Sequence, residues 1–189
     1  MKVFFTASRQ GKQYFDYYYQ QIFNFLDREG YENINKEYLQ KNNKTIEEEL
    51  KKLGQKGYSI RHKLLVEKIH KADICIFECS FQSLTVGFLI EKALELDKPV
   101  VGLYLEDHVP DFLIGLENEK LHMVEYTKDN LFDLLKTSIL KASFLTDKRF
   151  NFFINSSMLV YLNRISKKLG VTKSTFIRSL IEAYKKNNP

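Results

Sequence analysis

The chain has 189 residues, enough for one domain and a smaller second one, and its composition, 44% hydrophobic and 28% charged, is that of a globular protein. No run of about 18 apolar residues occurs, which excludes a membrane-spanning helix. The N-terminal apolar run is too short for a signal peptide and leads directly into a strand, so we expect a cytoplasmic protein.

Hydrophobic periodicity predicts strands that alternate with helices over residues 1–142. The strands are predicted at residues 2–6, 31–38, 73–77, 100–104 and 121–126. The helices are predicted at residues 14–28, 46–53, 60–71, 88–96 and 128–142, with a loop at 54–57. This order is typical of the α/β class, with a five-stranded parallel, Rossmann-like sheet of the flavodoxin type.

The stretch Ala72–Ala93 lies at the centre of this pattern. A short apolar run, too short for a helix, predicts a strand buried on both faces. A turn rich in small and hydroxyl residues follows at Ser80–Gly87, and a helix follows the turn. In such folds the carboxyl end of the strand and the next helix N-terminus form the ligand crevice.

The letters ADICIFECSFQSLTVGFLIEKA resemble the signature of the nucleoside 2-deoxyribosyltransferase superfamily, above all its deoxynucleoside-monophosphate N-glycosidase branch. The matching residues are Ala72, Asp73, Glu78, Ser83, Leu84, Val86 and Gly87. The resemblance places the family's nucleophilic glutamate at Leu89 and its second acid at Leu65. A leucine cannot attack or stabilise a sugar C1′, so the resemblance implies the family's fold without its catalysis.

The loop from Ala7 to Lys12 resembles the superfamily's 5′-phosphate loop, in which Ser8 and Gly11 match, whereas Ala7 and Gln10 depart from it. A loop before a helix N-terminus can hold phosphate; an ordinary connecting loop is the alternative. The candidate nucleotide-binding residues are Ser8, Gly11, Ser83, Thr85 and Gly87. Asp111 falls near a family serine that reaches a neighbouring subunit's phosphate, and an acid there repels phosphate.

After a linker at residues 143–147 the pattern changes. Residues 149–154 alternate like a strand, residues 156–169 have helical spacing and end at Gly170, and Thr172 caps a second helix over 173–186. Strand, helix, turn and helix resemble a complete ribbon-helix-helix domain of the Arc/CopG type, which we assign to residues 148–189.

This small domain cannot bury its own apolar faces, so the sequence predicts a homodimer or a tetramer. The resemblance places Arg149, Asn151 and Phe153 against the bases of double-stranded DNA, and the segment Thr172, Lys173, Ser174 against a phosphate. Residues 148–189 hold nine basic residues and one acid, a net charge of +8, which leaves −3 for residues 1–147. A basic tail indicates a polyanionic partner. The alternative is a basic surface that only keeps the protein soluble.

The sequence thus predicts a DNA-binding transcriptional regulator with a catalytically inactive domain that senses a nucleotide or drives oligomerisation. One alternative is a deoxynucleotide N-glycosidase that uses displaced acids, Glu91 or Glu67, with the tail only as a dimeriser. Another is an interaction protein of the antitoxin kind. Cys75 and Cys79 are interpreted as packing residues in a reducing cytosol, and no cofactor, metal or membrane partner is expected.

Overall fold

The computed structural model describes residues 1–37, 43–145 and 152–187, without the side chains of residues 43–47 and 49. In these ranges, runs of β-branched and aromatic residues form a five-stranded sheet. The strands are β1 (Lys2–Ala7), β2 (Glu32–Asn33), β3 (Ile74–Glu78), β4 (Val100–Leu105) and β5 (Leu121–Tyr126). Their order is β2-β1-β3-β4-β5 and all four neighbouring pairs are parallel. This is the flavodoxin order, so the predicted α/β fold with a parallel sheet is confirmed.

Helices connect and follow these strands in the described part of the chain. They are α1 (Lys12–Arg28), α2 (Asn43–Lys71), α3 (Leu84–Glu95), α4 (Asp111–Ile114), α5 (Leu131–Phe144), α6 (Ser156–Leu169) and α7 (Lys173–Asn187). The chain divides into two units, Met1–Asp147 and Lys148–Pro189, which we name the sheet unit and the tail unit. The helix α5 continues to Phe144, the second residue of the span predicted as a linker.

Alternating side chains of the strands supply a core on each face of the sheet. On one face Ile74 and Ile76 of β3 pack with residues of α1 and α5. On the other face Cys75 and Phe77 pack with residues of α2 and α3. Helices cover β3 on both faces, which explains why its sequence is apolar without alternation up to its last residue, Glu78.

The second strand is much shorter than the predicted span of residues 31–38. Only Glu32 and Asn33 pair with β1. The side-chain oxygen of Asn33 then accepts a hydrogen bond from the backbone N–H of Asn35 at 3.0 Å, and the amide of Asn35 donates to the carbonyl of Phe5 at 3.0 Å. Asparagine side chains thus take the place of ladder bonds, and the strand ends.

The predicted loop at residues 54–57 is wrong, because α2 is interrupted only at Gly54, which has φ 56° and ψ −146°. Gly57 is helical and buried. A Cβ at Gly57 would lie 2.8 Å from the Leu53 Cβ and 3.1 Å from the Leu50 carbonyl oxygen. The two glycines therefore have different roles: Gly54 adopts a conformation that L-residues avoid, and Gly57 permits a close approach.

The helices of the tail unit lie where the sequence predicts them. Asn155 caps α6 by accepting from the Met158 N–H at 2.9 Å, and Gly170 ends it with φ 67°. Thr172 caps α7 by accepting from the Thr175 N–H at 3.1 Å. Of the predicted strand, residues 149–151 lie outside the described residues and 152–154 form no strand, because a strand needs a second strand for pairing.

Candidate functional site

The loops after β1 and β3 meet at the carboxyl edge of the sheet. These two strands are neighbours, with Ala7 opposite Glu78 at their ends, and the chain winds outward from them in opposite directions. Such a topological switch point is where ligands bind in doubly wound folds. The loop that contains Ser8 and Gly11 therefore lies next to the loop that leads to Ser83, Thr85 and Gly87. These are the five residues predicted to bind a nucleotide.

The loop after β1 is closed rather than open. Ser8 is buried, and its hydroxyl accepts a hydrogen bond from the Gly11 N–H at 3.1 Å. A Cβ at Gly11 would lie 2.5 Å from both the Phe81 Cβ and the Tyr19 hydroxyl. Glycine is thus required here by packing against the loop after β3, in addition to any ligand contact.

The N-terminus of α3 presents the more accessible groups. Ser83 caps the helix, and its hydroxyl accepts from the Val86 N–H at 3.4 Å. Thr85 is exposed, and a Cβ at Gly87 would meet no atom within 4 Å. This turn was predicted to continue to Gly87, but the helix begins at Leu84, because the hydroxyl of Ser83 serves as its cap.

Two aromatic pairs that the sequence interpretation missed lie near this edge. The Phe81 ring stacks on Tyr14 with centroids 6.0 Å apart and 12° between the ring planes. Next to it, Phe15 meets the ring of His108 edge-on at 5.0 Å. Each pair joins two segments that are distant in sequence, so the spacing of residues along the chain could not predict these ring contacts.

Beneath this edge lies a buried carboxyl group, Glu78, which is 0% exposed. Its Oε1 accepts hydrogen bonds from the hydroxyls of Ser80 and Tyr126, the latter at 3.0 Å. The Ser80 hydroxyl in turn accepts from the Leu105 N–H at 2.8 Å. This network links the ends of β3, β4 and β5.

Burial raises the pKa of Glu78 to about 7, although its hydrogen bonds with Ser80, Tyr126 and Tyr19 oppose that rise. Burial and the nearby Glu78 charge raise the pKa of Tyr126. The sequence shows Glu78 only as a match to the superfamily signature. An acid at the end of an otherwise apolar strand is the signal that could have found the network.

The two positions at which the resemblance expects acids lie in apolar surroundings. Leu89 is 4% exposed and belongs to the core on the α2 and α3 face, and Leu65 packs against the same core. The displaced acids lie elsewhere: Glu91 is exposed, and Glu67 is exposed and pairs with Lys71 at 2.6 Å. The hydrogen bond with Lys71 lowers the pKa of Glu67.

Asp111 is exposed at the start of α4, where its Oδ1 accepts from the Phe112 N–H at 2.9 Å. In the described part of the chain no group of three or more His, Cys, Asp or Glu side chains could hold a metal ion. Nor does any helix there have the length and apolar character that crossing a membrane requires.

In the tail unit, Arg149 and Asn151 lie outside the described residues, whereas Phe153 is fully exposed. Lys173 and Ser174 are exposed in the first turn of α7, next to the capping hydroxyl of Thr172. The three residues predicted to contact phosphate thus lie together at one accessible helix N-terminus. Two of the three residues predicted to contact bases lie outside the described residues.

The facing sides of α6 and α7 form an apolar groove of about 410 Å³. Its lining residues are Phe152, Ile154, Ser157, Met158, Tyr161, Leu162, Phe176, Ile177 and Leu180. Among the described residues of this unit, Ser166 alone is buried. The two helices therefore leave their apolar sides largely open.

Known proteins match this chain among solved structures, whereas no family model and no curated protein matches it. The solved structure of the Clostridium botulinum CMP N-glycosidase BcmB is similar at 15% sequence identity, covering 72% of this chain and 99% of that chain with a TM-score of 0.46. The fold assignment itself rests on the strand order and direction described above.

Proposed function

We propose that this chain is a DNA-binding transcriptional regulator that reads duplex DNA through a dimeric tail unit. The observation that carries the proposal is the apolar groove between α6 and α7, in a segment with a net charge of +8. An open apolar groove favours association with a second copy, and the positive charge favours a polyanion.

The dimer follows from the size of the tail unit. Two short helices cannot bury enough apolar area to offset the entropy of folding. A second copy covers the groove of the first, and the strand predicted at residues 149–154 pairs with its counterpart. The resulting two-stranded ribbon has the width that the major groove of B-DNA admits.

The proposed contacts with DNA are of two kinds: contacts with phosphates position the protein, and contacts with base edges recognise the sequence. Lys173 and the exposed N–H groups near Thr172 and Ser174 hold a backbone phosphate, since a helix N-terminus favours an anion. Arg149 and Asn151 suit guanine and adenine edges, each bidentate contact contributing about 1–3 kcal/mol of discrimination. Phe153 offers only an apolar contact, such as a thymine methyl group, so specificity per dimer is modest.

The sheet unit is proposed to act as a catalytically inactive, deoxyribosyltransferase-like domain that senses a nucleotide or small phosphate ligand, or drives oligomerisation. Leu65 and Leu89 offer no carboxylate, and Thr85 with Gly87 leaves room at the start of α3. Both cysteines are free and buried, which suits a reducing cytoplasm. Purified protein is accordingly expected to release no free base from deoxynucleoside monophosphates.

The test is fluorescence anisotropy of the full chain with a duplex selected from a random pool and with a scrambled duplex. We expect Asn151→Ala to reduce the preference for the selected duplex. Lys173→Ala should weaken binding to both and lower the salt dependence by about one unit per subunit; Lys128→Ala, an exposed lysine of the sheet unit, is the control. Absence of binding to any duplex at low salt would refute the regulator.

A further inference from the structure

The middle of α2, between the acids Glu47, Glu48 and Glu49 and the acid Glu67, carries positive charge that the proposed function does not use. Residues 50–66 contain five basic residues and no acid. They are Lys51, Lys52, Lys56, Arg61 and Lys63. The four lysines are exposed, although residues 1–147 together carry a net charge of −3. A local positive surface therefore lies on an otherwise acidic unit.

Two of these lysines share one outward side of α2. Lys56 and Lys63 are seven residues apart, which is about two turns or roughly 10 Å along the axis. Leu65 and Ile69, which pack toward the sheet, lie on the other side of the helix. The spacing is close to the roughly 12 Å width of the B-DNA major groove, so the two ammonium groups can contact phosphates across it.

The same two lysines are available for a partner. Near the end of α2, Lys68 pairs with Glu37 at 3.4 Å and Lys71 pairs with Glu67 at 2.6 Å. No ion pair in the described ranges joins Lys56 or Lys63 to an acid. A lysine already paired with an acid must break that pair to bind a phosphate, whereas these two need not.

We propose that Lys56 and Lys63 form a second contact with the phosphate backbone of duplex DNA, in addition to the contact proposed for the tail unit. The inference rests on the proposed DNA-binding function. A lysine acts on phosphate as a point charge and reads no base. The α2 contact therefore adds affinity and salt dependence without adding sequence preference.

The experiment compares the full chain with the double variant Lys56→Gln/Lys63→Gln. Its control is Lys136→Gln/Lys141→Gln, which removes the same charge from exposed positions of α5. Each protein is titrated by anisotropy against two duplexes that contain the selected site, one of about 12 base pairs, close to one helical turn, and one of about 40. The binding constant is measured over a series of salt concentrations.

For the longer duplex we expect the α2 variant to bind about 3- to 10-fold more weakly than the control, with the salt slope lower by up to about 2 per subunit. For the shorter duplex we expect the two variants to bind alike. If they also bind the longer duplex alike while wild type binds it tightly, the α2 contact is refuted and the tail's function stands. If wild type binds neither duplex, both proposals fail.

Discussion

At the scale of single residues, the buried carboxyl group of Glu78 should make the stability of the fold depend on pH. Its folded-state pKa of about 7 lies above the ordinary value of 4.5 because the carboxyl is buried. The protonated form therefore stabilises the fold fully below about pH 4.5, and this stabilisation is lost as the pH rises to about 7. The difference corresponds to a few kcal/mol, roughly 3 by the usual conversion.

We expect Glu78→Gln to flatten the pH dependence of the free energy of unfolding, because glutamine is neutral at every pH and nearly isosteric. Urea unfolding followed by circular dichroism at pH 5 and pH 8 measures it. Glu91→Gln, at an exposed position of α3, is the control. Equal pH dependence in wild type and Glu78→Gln would show that Glu78 is not the group responsible.

Two glycines of the crevice give opposite predictions for one substitution. Gly11→Ala should destabilise the sheet unit by about 1–3 kcal/mol, because its Cβ would lie 2.5 Å from the Phe81 Cβ. Gly87→Ala should be neutral or stabilising by up to about 1 kcal/mol, because it lies inside α3 with open space around it. Thermal unfolding of both variants compares them; equal destabilisation would contradict the packing described at Gly11.

At the scale of elements, sequence patterns predict strands and helices whose stabilising contacts are regular. β3 and β4 are largely apolar runs, and α6 has a cap and a terminal glycine that the sequence shows directly. β2 could not be predicted in length, since its end depends on the Asn35 amide reaching Phe5, 30 residues away. The Glu78 network has the same origin: Tyr126 is 48 residues away and becomes its neighbour only through the sheet.

The break in α2 provides the prediction at this scale. Gly54 has φ 56° and ψ −146°, a region that costs an L-residue about 1–3 kcal/mol. Gly54→Ala should therefore lower the melting temperature. Gly115→Ala is the control, because its φ is −73° and the nearest atoms to an added Cβ are 3.6 Å away. Equal melting temperatures for the two variants would show that the break does not constrain α2.

At the scale of the whole molecule, the two units differ in how much of their apolar surface they cover. The sheet unit has a buried core on both faces of the sheet. In the described part of the tail unit no apolar residue is buried. The sheet unit therefore has a core of its own. Under the proposed function, the tail unit depends on association, and DNA binding should then depend on the concentration of the protein.

This dependence predicts the oligomeric state. Light scattering of the full chain at micromolar concentration should give at least a dimer. Leu162→Asp places a charge in the groove between α6 and α7 and should shift the chain toward smaller species. Asn163→Asp adds the same charge at an exposed neighbouring position outside the groove lining and should leave assembly unchanged. Weaker DNA binding should follow the loss of dimer in Leu162→Asp, because one tail supplies only half of the ribbon. A stable wild-type monomer at this concentration would remove the basis for the ribbon and for the regulator built on it.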